Sequence, residues 1–387
     1  MKIHSVTSRL VVSLTTVIVL MGCVLPMSPT PPPAQPPMPS PTPQLPAQPP
    51  TPSPTPQLPA PTLMSEFKST SGRTVIEYYA YDSGTCGIGN CNFRGPIHAL
   101  PGFDQVEVFL SGFRLETQSK VDAITHVQAQ VQKFRYDKAT GELEVGVNGQ
   151  LSTGSGQPYA YHVTFVVILT DATAAKFTAV GHACGGQAQC HVTATLAGAV
   201  PTGMQYIGLG TQIFDLRTDQ SGPLRINTLS AHIDSLTVTP PNVQLDYLCS
   251  LSDAAGMNAM SCEWGAAIIA FDPAEMAQNT STIFPQYSFL GSNITGARRW
   301  TNHSQPAAGT AFTGYLDAFE GLTFFYPTGQ ENALWMVEAA ASNFQLSGTP
   351  PTEALTDYGI FLGTTFGDTM NAQTYTYQES RAFGFLR

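Results

Sequence analysis

Residues 124–136 read ITHVQAQVQKFRY, with every second position in the middle of the run apolar. Ile124, Val127, Ala129, Val131, Phe134 and Tyr136 form a spaced set that recurs twice. It returns as Ile226, Leu229, Ala231, Ile233, Leu236 and Val238 in INTLSAHIDSLTV, and as Phe312, Tyr315, Asp317, Phe319, Leu322 and Phe324 in FTGYLDAFEGLTF. Alternation with a period of two marks a strand with one buried face. A set repeated at fixed spacing marks duplication of one structural unit.

The flanks support this reading. Upstream, YIGLGTQI (206–213) parallels YSFLGSNI (287–294), and the first copy offers VEVFLSGFRL (106–115). Downstream, each copy has a turn and another strand: ELEVGV after DKATG, VQLDYL after TPPN and ALWMVEA after PTGQEN. Each copy then closes on a strongly apolar stretch: YHVTFVVILTD, CEWGAAIIAFD or DYGIFLGTTFGD. The expected fold is all-β, with three tandem antiparallel β-sandwich units after a disordered, Pro-rich polyproline II linker. The expected divisions are a signal peptide (1–22), a lipid-anchored linker (23–64), and units at 65–198, 199–283 and 284–387. The first unit is expected to carry Cys-clipped hairpins.

Composition narrows the function classes. Only 11% of the 387 residues are charged and the formal net charge is −10, with no basic run past the N-terminus. That excludes a nucleic-acid footprint. Lys2 and Arg9 precede the apolar run LVVSLTTVIVLM (10–21), which has signal-peptide length and is too short to span a bilayer. It ends in Leu20-Met21-Gly22-Cys23, which resembles the bacterial lipobox. That resemblance implies cleavage before Cys23, lipidation of its thiol and a membrane as partner through the anchor. With Val24 rather than Asp after the Cys, it also implies an exported protein bound for the outer membrane. The segment that follows repeats Ser-Pro-Thr-Pro-Gln-Leu-Pro-Ala at 40–47 and 53–60. Proline fixes φ and removes donors, so this segment is read as a stiff spacer, with a reach on the order of 100 Å.

Six further cysteines form three close pairs, Cys86/Cys91, Cys184/Cys190 and Cys249/Cys262. An even count in an exported chain implies disulfides, and nearest-neighbour closure is the simplest pairing. His182, Cys184, Cys190 and His191 are zinc-type ligands, but their spacing matches no common finger. Their flanks, KFTAVGHA and HVTATLAG, read instead as a hairpin clipped by a disulfide, so no metal or other cofactor is expected.

Catalytic motifs are missing: there is no His-Glu-x-x-His, Gly-x-Ser-x-Gly or phosphate-cradling glycine loop. Asp246, Asp253, Glu263, Asp272, Glu320 and Asp368 are scattered, although two converging carboxylates would suffice for a glycosidase. The densest grouping of aromatic and amide side chains is RRWTNH (298–303), read as a loop, with Trp300, Asn302 and His303 as candidate ligand-binding residues. Rings stack on apolar sugar faces while amides take hydroxyls. The competing reading folds Trp300 onto the core. Trp264 and Trp335 lie in apolar strands and read as core.

The stretch from Phe103 to Asp171, with VEVFLSGFRLE, ITHVQAQVQKFRYD, GELEVGVNGQ and YAYHVTFVVI, resembles the H-type lectin domain. The resemblance implies a six-stranded antiparallel sandwich, assembly in threes and binding of N-acetylgalactosamine-type sugars between subunits. Three tandem copies would mimic such a trimer in one chain. The family's Trp-containing segment is not evident, and Val147-Asn148-Gly149 stands near its place, so no sugar-binding residue carries over. The expected function is a lipid-anchored binding or adhesion module of the cell envelope, with a glycan or an envelope protein as partner. A structural or assembly lipoprotein is the alternative, and a carbohydrate-active enzyme a third reading.

Overall fold

A computed structural model describes residues 59–387 except 87–90, 119–123, 154–155, 157, 188, 219–224, 254–255, 258–259, 279–285, 295, 308, 327–331, 367–368 and 371–373. Cys23 and the proline repeats up to residue 58 lie outside the described residues. Pro56–Arg387 cluster as one compact unit. The described residues are all-β, in chain order β1 (Thr62–Lys68), β2 (Thr74–Cys86), β3 (Cys91–His98), β4 (Gln105–Thr117), β5 (Ile124–Tyr136), β6 (Glu142–Thr153) and β7 (Tyr159–Thr170). Next come β8 (Ala175–Gln187), β9 (Gln189–Leu196), β10 (Gln205–Thr218), β11 (Arg225–Thr239), β12 (Asn242–Asp253), β13 (Gly256–Met257), β14 (Met260–Phe271) and β15 (Met276–Gln278). The last are β16 (Gln286–Ile294), β17 (Arg298–Ser304), β18 (Gly314–Phe325), β19 (Asn332–Ser347), β20 (Glu353–Phe366), β21 (Thr369–Met370) and β22 (Tyr375–Leu386).

Strand pairing reveals three equivalent antiparallel sandwiches. In the first, β2-β7-β4 faces β3-β6-β5; in the second, β8-β14-β10 faces β9-β12-β11; in the third, β16-β22-β18 faces β17-β20-β19. The second half of each sandwich joins the first half of the next. Strand β5 pairs with β10, β11 with β18, and β19 with β4, so the third unit closes back on the first. The three joints share one register: Phe214↔Ala129, Leu322↔Ala231 and Phe113↔Ala339. The result is a closed ring of three six-stranded sheets, one of which β1 extends at its edge, and a two-residue pairing of β11 with β19 links two of the sheets.

Two cores follow from this closure. One lies inside the sandwiches and includes Val127, Ala129 and Val131 of β5 with Val163, Phe165 and Val167 of β7. The other lies between the sheets and takes Val166 and Ile168 of β7, Ile269 and Phe271 of β14, and Phe383 and Phe385 of β22. The β7, β14 and β22 strands are thus buried and largely apolar on both faces over their second halves, Arg381 of β22 excepted, as suits central strands covered on each side. The rings of Phe113, Phe214 and Phe319 meet with centroids 5.2, 5.6 and 6.0 Å apart, where the three units converge.

Three readings change. First, KFTAVGHA and HVTATLAG do not form a hairpin: β8 pairs with β14 and β9 with β12, in different sheets. Both strands, grouped by sequence with the first unit, add to strands of the second. Second, the third unit is out of step with the sequence matching: FTGYLDAFEGLTF (β18), ALWMVEA (β19) and DYGIFLGTTF (β20) occupy the places of β4, β5 and β6 of the first unit rather than β5, β6 and β7, and YSFLGSNI (β16) takes the place of β2 rather than of VEVFLSGFRL in β4. Third, residues 298–304 are strand β17, paired along its length with β20.

Candidate functional site

The last turn of alternation in β4 puts Leu115 into the core and turns Arg114 and Glu116 outward. Partners directly opposite across strands share a face. Arg114 lies opposite His162 of β7 and opposite Glu338 of β19, and His162 lies opposite Asp82 of β2. One row therefore runs Asp82, His162, Arg114, Glu338 across four strands and across the joint between the first and third units. Strands β17 and β20 supply the far wall, where a bulge in β19 between Ser342 and Gln345 holds Asn343 at φ 57°.

These residues line a groove of about 830 Å³, with Arg299, Trp300, Thr301, Asp357 and Tyr358 on the wall. Arg299 reaches Glu338 at 2.8 Å, and Arg114 reaches Glu116 at 2.5 Å. Asp357 accepts from Thr301 Oγ1 at 2.5 Å and from Asn343 Nδ2 at 2.9 Å. A Cβ at Gly359 would lie 2.4 Å from Arg299 Nη1, so a side chain there would shift the guanidinium. Burial holds the His162 imidazole below its usual value against the pull of Asp82 and Glu338, and Arg114 pushes the same way as burial. The ring is neutral at pH 7 and offers one donor and one acceptor nitrogen. Four carboxylates and two guanidiniums thus gather in one depression of a chain that is only 11% charged.

The sequence-chosen residues occupy mixed positions. Trp300 is half-buried and packs against both cores, its ring 5.6 Å from Tyr358 and 6.5 Å from Tyr377. Asn302 turns inward and donates to Ser304 Oγ at 2.7 Å. His303 is exposed, with Nδ1 3.1 Å from the Glu353 carboxylate, and is not part of the groove wall. The outward members of this strand at the groove are Arg299 and Thr301, in phase with His303 and one step out of phase with Trp300 and Asn302. Arg114, Glu116, His162, Glu338, Asp82 and Asp357 were missed. Their signal is a charge or imidazole on the groove-facing side of a mostly uncharged strand.

Cys184–Cys190 and Cys249–Cys262 are disulfides, with Cα atoms 6.4 and 6.6 Å apart. Each crosses between the two sheets of the second sandwich, and the first uses the sulfurs a zinc site would need. Cys86 is also disulfide-bonded; the side chain of Cys91 lies outside the described residues. Such bonds fit an oxidising, extracytoplasmic compartment. Trp264 and Trp335 are buried, at 2% and 3% exposure. No family model matches the chain, and no curated protein and no solved structure matches it.

Proposed function

We propose that the protein is a lipid-anchored binding module of the cell envelope that takes a carbohydrate in the groove between its first and third units. The observation that carries this reading is the groove of about 830 Å³ lined by Arg114, Glu116, His162, Arg299, Glu338 and Asp357. Carboxylates and guanidiniums offer directed acceptors and donors for hydroxyls, and an open groove that presents them beside the Trp300 ring suits a polar ligand with apolar faces. The closed ring of three sandwiches, with its groove at a joint, also supports the lectin-like reading. Cys23 would supply the anchor and the proline segment the reach.

A glycan array probed with residues 59–387 tests this. Binding should be lost in Arg114→Ala and Glu338→Gln. An array with no positive glycan would sink the carbohydrate reading. Release of reducing ends from a bound glycan would replace a binding module with a hydrolase, for which the groove's four carboxylates are the favouring observation. Incorporation of an alkyne fatty acid that disappears in Cys23→Ala tests the anchor.

A further inference from the structure

We propose that His162 makes the groove release its ligand in acid: the neutral imidazole hydrogen-bonds the bound sugar, and the imidazolium does not hold it. The inference rests on the carbohydrate reading of the groove. Because the joints share one register, their residues can be matched position by position. Arg114 and Glu116 at one joint correspond to Asp215 and Arg217 at the next, and to Thr323 and Phe325 at the last. Glu338 corresponds to Gln128 and Ser230. His162 corresponds to Glu263 and Gln378. An imidazole stands at this position at one joint of the three, the joint that carries the groove.

The other ionisable side chains of the groove are already engaged. Asp82 accepts from the Gly84 N–H at 2.9 Å, Arg114 is paired with Glu116, and Asp357 with Thr301 and Asn343. Arg299 Nη2 lies 2.8 Å from each oxygen of Glu338. His162 is half-buried in the groove lining, and neither of its nitrogens makes a hydrogen bond or ion pair among the described residues. Its donor and acceptor are therefore open to a ligand. A cation on this ring would stand directly opposite Arg114 of β4, where like charges repel. Asp82 and Glu338 pull the other way, but neither carboxylate reaches the ring, and burial outweighs both to hold the imidazole below its usual value. A sugar laid over the ring removes more water and occupies the acceptor nitrogen, so protonation is harder in the complex than in the empty groove. Linkage then sets the sign. Affinity is full above the midpoint of the empty site and falls by up to about ten-fold per pH unit below it.

The array-selected glycan is titrated into residues 59–387 at pH 7.5 and pH 5, with circular dichroism confirming the fold at both. Wild type should lose about ten-fold or more in affinity at the lower pH. His162→Gln, which keeps a donor and an acceptor but does not titrate, should bind more weakly at pH 7.5 and lose no more than about two-fold on acidification. His303→Gln, outside the groove wall, should keep the full loss. In NMR titrations, saturating glycan should lower the His162 midpoint by about one pH unit. Equal wild-type affinity at both pH values, a ten-fold loss that persists in His162→Gln, or a midpoint that glycan leaves in place or raises overturns the inference. If binding in that case still needs Arg114, the carbohydrate reading stands without it. An array with no positive glycan removes both.

Discussion

Glu379 and Arg381 lie side by side in β22 with 0% of their surface exposed, next to Asp317 of β18. Arg381 donates to Asp317 at 2.5 Å, to Glu379 and to the Ser111 carbonyl of β4, so one guanidinium ties the third unit to the first. Burial pushes the Glu379 carboxyl up to about 7 although Arg381 pulls it down, and Asp317 adds to the rise. Glu77 is likewise raised to about 7 by burial, with Glu66 adding to the rise and the Tyr79 hydroxyl opposing it. Both groups hold a proton in the folded protein between about 4.5 and 7 that the unfolded chain has released. Their contribution is complete below about 4.5 and is lost as pH rises through 7. His162 and His232, held down by burial, act in the opposite direction below their ordinary value of 6.5. The difference between wild type and variant therefore isolates the carboxyls. Glu379→Gln, which fixes the protonated shape, should gain a few degrees in Tm relative to wild type between pH 5 and 8. A gap that stays constant across calorimetric scans would refute the assignment. A second prediction concerns Gly149, where a Cβ would stand 2.5 Å from the Tyr161 ring. Overpacking of this kind costs about 1–3 kcal/mol, so Gly149→Ala should lower the urea midpoint with an unchanged m-value. At this scale the sequence was legible for Trp264 and Trp335. It was partly legible at RRWTNH: Trp300 lines the groove, but a strand read as a loop loses the alternation that turns Arg299 and Thr301 outward and Asn302 inward.

The second sandwich is stapled where the first is stacked. Leu115 and Leu216 hold matching places, and opposite them stand Tyr161 and Cys262. Ala129 and Ala231 match likewise, opposite Gly149 and Cys249. The Cys249–Cys262 bond therefore replaces the contact of Tyr161 with Gly149. The same two sheets are bridged again by Cys184–Cys190, and Cys184 lies opposite Cys262 while Cys190 lies opposite Cys249. Removing the Cys249–Cys262 bond, which closes a loop with a sequence separation of 13, should cost about 2–4 kcal/mol. The double variant Cys249→Ala, Cys262→Ala should show this in denaturant melts while groove binding persists, because none of the groove's lining residues belongs to the second unit. Loss of the groove's affinity in that variant would contradict the separation. At the scale of elements, strand character was written plainly in the period-two pattern, and nearest-neighbour cysteine pairing held for these two bonds. Partnership was not written there. Alternation states which face of a strand is buried, and β18 carries the apolar spacing of β5 while standing in the place of β4. Nor does local sequence disclose that β8 and β9, one residue apart along the chain, enter different sheets.

Closure of the ring depends on close backbone approach at the joints. Gly112 sits at a bulge of β4, and a Cβ there would lie 2.5 Å from the Ala341 nitrogen and 2.6 Å from the Ala339 oxygen of β19. Gly321 sits at the matching bulge of β18, where a Cβ would lie 2.5 Å from the Ala231 oxygen and 2.8 Å from the His232 Cα of β11. These obstacles are backbone, so neither joint can accept a methyl without parting its two strands. Gly112→Ala and Gly321→Ala should therefore destabilise the ring comparably, by about 1–3 kcal/mol or more. Their effects on ligand should differ. The first variant moves β4 against β19, separating Arg114 from Glu338, and should weaken groove binding at least ten-fold. The second disturbs the joint whose matched positions carry Thr323, Ser230 and Gln378, and should leave groove affinity within about two-fold once the folded fraction is corrected for. Parallel denaturant melts and titrations with the array-selected glycan measure both quantities on the same samples. Equal loss of affinity in the two variants would mean that the ring responds as one elastic body. Loss confined to Gly112→Ala would mean that each joint governs its own surface, and that three copies of one unit can carry three different sites in a single chain.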